Sequence, residues 1–473
     1  MATITFTQWG FGLDLRKGAS TSDANRLRVL KNAYITEGKT IRKRPGTTKV
    51  KTFAPGTVGL FAGLGKLNTF QTLCTNFPGA VNHGLGIFQN SLLTAPPFTY
   101  ETDGVSLRNV DNVEPFNGFL YVAAVHYGPQ EQGVSYKHHY IDGAPSTFVD
   151  DAPPRRGITK VASKIWCADG DTVKYSATNA PRDWTTADNA GFLPVGLQQS
   201  GSKRSVTVGN YKNRLVVFFP DSSQVWQVDV DPANNQFLDS IDIGTNLLYA
   251  HQNMNSDVFF LSPAGVRTIT RQATTESLID SDVGSPIDYE LLRGAFIDTS
   301  AARGQYFRGA GQYWLYAGNK AVVFTFSRSS KISAWSIYEF PFTLDYIDEL
   351  ETLLYIRSGD DVYRVDRDVW TDGGAKYEVL IETPFVDFKT PGVDKQVYAI
   401  DAVFTGTGDI SHRFDPRNPA LITSPPITVT GDTQPGNVYP VELITTNLAT
   451  AVRNFDDQEF EMHSISYQFA NLR

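Results

Sequence analysis

The sequence predicts an all-β protein: a six- or seven-bladed β-propeller with an N-terminal arm and a C-terminal β-sandwich-like domain. Three observations carry that prediction. A unit of short apolar strand, polar turn, stronger β-branched or aromatic strand, Gly/Asp/Asn turn and third apolar strand recurs six times, and its first turns fall 39 to 55 residues apart. That spacing is close to the period of about 40 to 50 residues expected when each repeat is one propeller blade. Hydrophobic residues at 41% and aromatics at 12%, with 39 Gly and 25 Pro, supply a packed interior broken by many turns. The repeat stops at Trp370-Thr371-Asp372-Gly373-Gly374, after which alternation continues without the period.

In chain order, residues 1–55 read as an arm and hairpin. Ser22 is placed to cap a short helix that carries Leu27 and Leu30 on one side, and a hairpin turns at Glu37-Gly38. Residues 56–372 read as the propeller. Its first part, Gly56 to Thr94, is Gly-rich and half periodic, and is either a degenerate seventh blade or strands completing the last one. The clearest repeat is SVTVGNYKNRLVVFFPDSSQVWQVD, with a turn at Asn210 to Asn213, a buried run Leu215 to Phe219, and Val225, Trp226 and Val228 closing the unit. Other copies turn at Asn117-Gly118, Ala162-Ser163, Asn255-Ser256, Ala310-Gly311 and Glu349-Leu350. An insertion near 277–300 contains Ser285 followed by Pro286, the order expected for an N-cap and first helical position. Residues 373–473 hold alternating strands (YEVLIETPFVDF, QVYAIDAVFTG, ITVTG, VYPVELIT, EFEMHSISYQFANL), which predict a small antiparallel sandwich.

Composition narrows the function classes. A net charge of −8 disfavours a surface built to grip phosphates. Cys74 and Cys167 are far apart and lack metal-ligand spacing, so buried thiols in a reducing cytoplasm are the simplest reading. No long apolar run is present, and MATITFTQWG lacks the basic and apolar regions of a secretory signal, so a soluble chain without stable membrane insertion is expected.

Catalytic constellations are weak. Ala168-Asp169-Gly170-Asp171-Thr172 has the look of an Asp-box turn but lacks its flanking Ser and Trp, and an Asp-Gly hairpin turn explains it. His138 and His139 are adjacent on a strand, so they point to opposite faces and do not chelate one metal; exposed histidines are expected. Asp360-Asp361, Asp345, Asp348 and Glu349 are carboxylates in predicted turns, where solvation and turn hydrogen bonds explain them. GxxxxGK[ST], GxSxG and HExxH are all absent. No catalytic residue, metal or cofactor is therefore assigned. Arg42-Lys43-Arg44 is the one charge cluster singled out, as a candidate assembly interface.

Three passages taken together resemble a known family. Gly10-Phe11-Gly12-Leu13, Asn32-Ala33-Tyr34 and Ile41-Arg42-Lys43-Arg44-Pro45-Gly46 resemble the opening of the tail hub, or nozzle, proteins of short-tailed bacteriophages, also called packaged-DNA stabilisation proteins. NAPRDWTTADNAGFLPVG with NRLVVFFPDSSQVWQVDVDP resembles the middle of that family, and SDVFFLSPAGVRTI its next blade. The resemblance implies a non-enzymatic virion protein, made in the bacterial host cytoplasm. It implies a hexameric ring below the portal-adaptor, double-stranded DNA passing along the six-fold axis outside each propeller's own channel, and contacts to a fibre, spike or plug. Two other readings stay open. A receptor-binding or glycan-hydrolysing tail propeller requires clustered acidic and aromatic residues at one mouth of the channel, and a host scaffold propeller requires varied protein partners.

Overall fold

In the computed structural model the described residues are 2–472 without 54–56, 64–68, 75–83, 90–91, 95–106, 128–132, 143–147, 200–203, 255–256, 271–281 and 419–424, and between 62 and 94 only the backbone strands are described. Small antiparallel sheets follow one another along the chain, each from consecutive strands. Their first strands are Thr57–Gly63, Leu107–Phe116, Ile158–Val161, Thr207–Tyr211, His251–Met254, Arg303–Phe307 and Tyr346–Leu350, which begin blades 1 to 7. Each first strand touches the first strand of the next blade, and Tyr346–Leu350 touches Thr57–Gly63, so the seven blades close into a ring with these strands innermost. The fold is a β-propeller. In the Gly-rich stretch the strands Thr57–Gly63, Thr69–Cys74, Gly84–Gln89 and Leu92–Thr94 form a blade of their own.

Blade 7 shows how the ring is locked. Its three consecutive strands are completed by Gly46–Thr52, which pairs antiparallel with Asp361–Asp366. A strand from before the first blade thus closes the last. The blade centres are apolar on both faces, as the β-branched runs require: Leu215, Val217, Leu315, Leu354 and Ile356 are fully buried, and Phe259 nearly so. Turns at Asn117-Gly118, Ala162-Ser163 and Lys212-Asn213 have both central residues at positive φ, the tight hairpin type. The last blade's first turn lies at Glu351-Thr352, two residues beyond the predicted position, and the turn predicted at Asn255-Ser256 lies outside the described residues. Asp348 and Glu349 consequently sit in a strand, not a turn.

Two further sheets form a sandwich. One contains Ala33–Ile35, Ile41–Lys43, Glu461–Asn471, Lys395–Thr405 and Val438–Thr445, with Ala2–Phe6 also paired to Glu461–Asn471. The other contains Val29–Lys31, Val379–Glu382, Ala449–Asn454, Gly408–Arg413 and Ile427–Val429, and continues into blade 6 where Lys31 bridges Ile337. Their shared core joins Trp9, Leu30 and Ile41 to Val397, Phe404, Val452 and Tyr467. The predicted arm is therefore woven into both bodies, with four short strands in the sandwich and one in blade 7.

The helix expected from Ser22 is absent. Residues 19–26 form turns, and Leu27 and Leu30 are buried as parts of the sandwich core. The insertion does carry a short helix, Asp288–Leu292, but Ile287 precedes it and Ser285 and Pro286 lie in the turns before it. Asp288 explains the offset: its carboxylate accepts from Val266 N at 3.0 Å and Arg267 Nη1 at 2.6 Å, pinning the helix start beneath the last strand of blade 5.

Candidate functional site

The residues that carry the N-terminal resemblance converge on the junction between propeller and sandwich. Arg44 was expected on a projecting arm, yet it is 1% exposed. All five of its N–H groups are used. Nη1 and Nη2 fork onto the Asp372 carboxylate at 3.0 and 2.5 Å, and Nε donates to Asn32 Oδ1 at 3.1 Å. Nη1 also donates to Pro45 O at 3.0 Å and Nη2 to Glu339 O at 2.9 Å. The guanidinium lies 4.0 Å from the Tyr377 ring centre and 4.1 Å from that of Phe340. Burial disfavours the cation, but the Asp372 charge outweighs it and raises the arginine pKa.

Lys43 is also fully buried, donating to Asn454 Oδ1 at 3.1 Å and Asp456 O at 2.5 Å. Desolvation, and then the neighbouring Arg44 charge, push its pKa down to about 8. Arg42 alone of the three is half-exposed, and it pairs with Glu459 at 2.5 Å. The expectation of a free basic cluster at an assembly interface is thus corrected for Lys43 and Arg44: these cations are spent inside the chain. Asn32, at φ 53, accepts from Arg44 and from Glu339 N and donates to Glu378 O. Gly46 has no room for a side chain, because a Cβ there would lie 2.2 Å from Thr371 O. A Cβ at Gly12, at φ 57, would lie 2.7 Å from Ala334 Cβ and 2.9 Å from Trp335 O.

The other singled-out residues are structural where they are described. Asp169 pairs with Arg155 at 2.7 Å and Lys174 at 3.0 Å; burial opposes its ionisation, but these cations hold its carboxyl below the ordinary value. His138 and His139 do point to opposite faces, but both are buried, not exposed. His138 meets Tyr121 Oη at 2.9 Å and Arg155 O at 2.8 Å, while His139 faces His126 at 3.1 Å. Asp360 accepts from Thr57 N, Asp361 pairs with Lys49, and Glu349 accepts from Arg308 N and Gly309 N. Asp345 accepts from Gly359 N and pairs with Arg357 at 3.6 Å. Cys167 is a buried free thiol; the Cys74 side chain lies outside those described. Among the described residues no three His, Cys, Asp or Glu side chains are grouped to hold a metal.

Sequence reasoning missed the propeller axis. Near the starts of the inner strands, side chains from five blades meet in one layer. Asp111 of blade 2 accepts two bonds from Arg156, just ahead of the first strand of blade 3, and one from Tyr249, just ahead of that of blade 5. Arg303 of blade 6 lies 4.1 Å over the Tyr249 ring and 5.4 Å from that of Tyr346 in blade 7. A pocket of about 480 Å³ extends from this layer to the turns at Arg308 and Glu351-Thr352. Glu114, half-buried in its wall, has its pKa raised to about 7 by desolvation, against hydrogen bonds from Thr159 and Lys160 N. These residues are single contributions from separate blades, so no local motif announces them.

No protein-family model matches the chain, and no curated protein is similar to it. Among solved structures, the Pan2 WD40 domain of Neurospora crassa is similar over 68% of this chain and 94% of its own, at 11% identity and a TM-score of 0.38. The exo-β-1,3-galactanase of Phanerochaete chrysosporium, solved with galactose, covers 90% of this chain and all of its own, at 8% identity and a TM-score of 0.28. The propeller assignment rests on the ring of blades itself. No helix among the described residues is long and apolar enough to cross a membrane.

Proposed function

We propose that this propeller protein is a structural subunit of the tail hub of a short-tailed bacteriophage. In this reading six copies form a ring below the portal-adaptor, retain packaged double-stranded DNA, give it an exit path and dock a fibre, spike or plug. The observation that carries the reading is the fate of the N-terminal residues on which the resemblance rests. Gly12, Asn32, Arg44 and Gly46 are each used where propeller and sandwich meet, as suits a resemblance that carries no catalytic residue. The Asp111–Tyr249 contact spanning the propeller axis supports a DNA path between subunits in place of one through each propeller. A net charge of −8 suits a wall along which DNA slides without sticking.

Mass photometry and negative-stain microscopy test the proposal, with the full chain alone and mixed with a candidate adaptor ring. A six-fold ring, or assembly that depends on the adaptor, is expected. A chain that stays monomeric under both conditions overturns it.

A further inference from the structure

The axial pocket keeps a cation that the fold does not consume. Asp111 is spent on Arg156 and Tyr249, and Glu349 on the backbone N–H groups of Arg308 and Gly309. Arg303 differs. It lies in the pocket wall against two tyrosine rings, and its guanidinium makes no hydrogen bond or ion pair with the described residues. A half-buried guanidinium held against aromatic rings, with its donors unspent, is a preorganised recognition group. Glu114 shares the wall; its carboxyl accepts from Thr159 and Lys160 N and has acceptor capacity beyond those two bonds, and near neutral pH its raised pKa lets it donate as well.

We propose that this pocket binds a small neutral saccharide, a mono- or disaccharide, with Arg303 donating to its hydroxyl oxygens and Glu114 accepting from its hydroxyls. The volume of about 480 Å³ lies within the range for small-ligand sites. The Tyr249 and Tyr346 rings hold the Arg303 guanidinium in the wall, and the mixed donors and acceptors of the lining match the adjacent hydroxyls of a sugar. Glu114, Asp348 and Glu351 in the same wall oppose an anion, while Arg303 and Arg308 oppose a cation. The site lies within one chain, so it stands or falls independently of ring assembly.

Saturation-transfer NMR on the full chain tests this with glucose, N-acetylglucosamine, lactose and glucuronate as probes. Transfer to at least one neutral sugar is expected. Arg303→Gln should weaken that binding by about tenfold or more through loss of charged hydrogen bonds, and Glu114→Gln should weaken it and flatten its pH dependence between pH 6 and 8. Arg417→Ala, at a side chain 92% exposed, should bind as the parent does. Thermal melting of each variant separates lost binding from lost folding, and Glu114→Gln keeps the side chain's size should Arg303→Gln not fold. No transfer from any neutral sugar, transfer from glucuronate alone, or binding unchanged in both pocket variants overturns the proposal.

Discussion

Arg44 and Asp372, far apart in the chain, form a two-pronged ion pair whose side chains are 1% and 0% exposed, at the point where the strand that closes the propeller leaves the sandwich. Breaking one partner of such a pair leaves the other charge buried and alone. Arg44→Ala or Asp372→Ala should each cost about 3 to 5 kcal/mol in urea unfolding. The double variant should cost clearly less than the two combined, because no orphan charge remains. Additive losses would show that the pair is not coupled. Replacing Arg42, Lys43 and Arg44 together by Ser should therefore destabilise the chain as well.

Closure of blade 7 is open to a single-methyl test. Gly46→Ala places a Cβ against the Thr371 carbonyl, backbone that cannot swing aside. A loss of about 2 kcal/mol or more is expected, with faster amide exchange in Asp361–Asp366, the strand it pairs with. An unchanged melting temperature would mean that the strand does not hold the ring.

Val217 is fully buried in the centre of blade 4. Val217→Asp puts an unpaired charge there and should cost about 4 kcal/mol or more. A variant that melts like the parent would contradict the blade.

Stability should fall as pH is lowered. His138, His251 and His412 each have their pKa pushed from 6.5 to about 4 by burial, and that of His139 is also depressed. The unfolded chain then binds more protons than the folded one between about pH 6.5 and 4, so their contribution is complete above pH 6.5 and is lost through that window. Each of the three shifts to about 4 corresponds to about 3 kcal/mol. Glu114 works in the opposite sense, since its raised pKa favours the folded state as pH falls from about 7 toward 4.5, but one group offsets only part of several. Melting temperatures at pH 7 and pH 5 check this, with a drop expected at pH 5. His412→Asn, which cannot take up the proton, should shrink the drop.

The blades were legible because a strand buried on both faces must be continuously apolar, as Leu215 to Phe219 are, and because Asn-Gly and its equivalents fix tight turns. The sandwich was legible from its alternation, although Gly408–Arg413 and Ala449–Asn454 escaped notice. The fate of the first 55 residues was not legible. Ala2 pairs with Phe469 and Arg42 with Glu461, and no local pattern encodes partners that distant. Arg44 and Lys43 misled for a related reason: basic residues are almost never fully buried unless paired, and their partners lie hundreds of residues along the chain. The axial layer was invisible because Asp111, Arg156, Tyr249, Arg303 and Tyr346 meet only once the ring has closed.

Cryo-electron microscopy of the assembly formed with an adaptor ring tests the central proposal most directly, because it fixes both the symmetry and the position of each propeller axis. A six-fold ring is expected, with its wide central lumen between subunits and each propeller's own axis off-centre and crossed by the Asp111–Tyr249 contact. A particle without six-fold symmetry, or one whose central passage runs through a propeller's own channel, would contradict it.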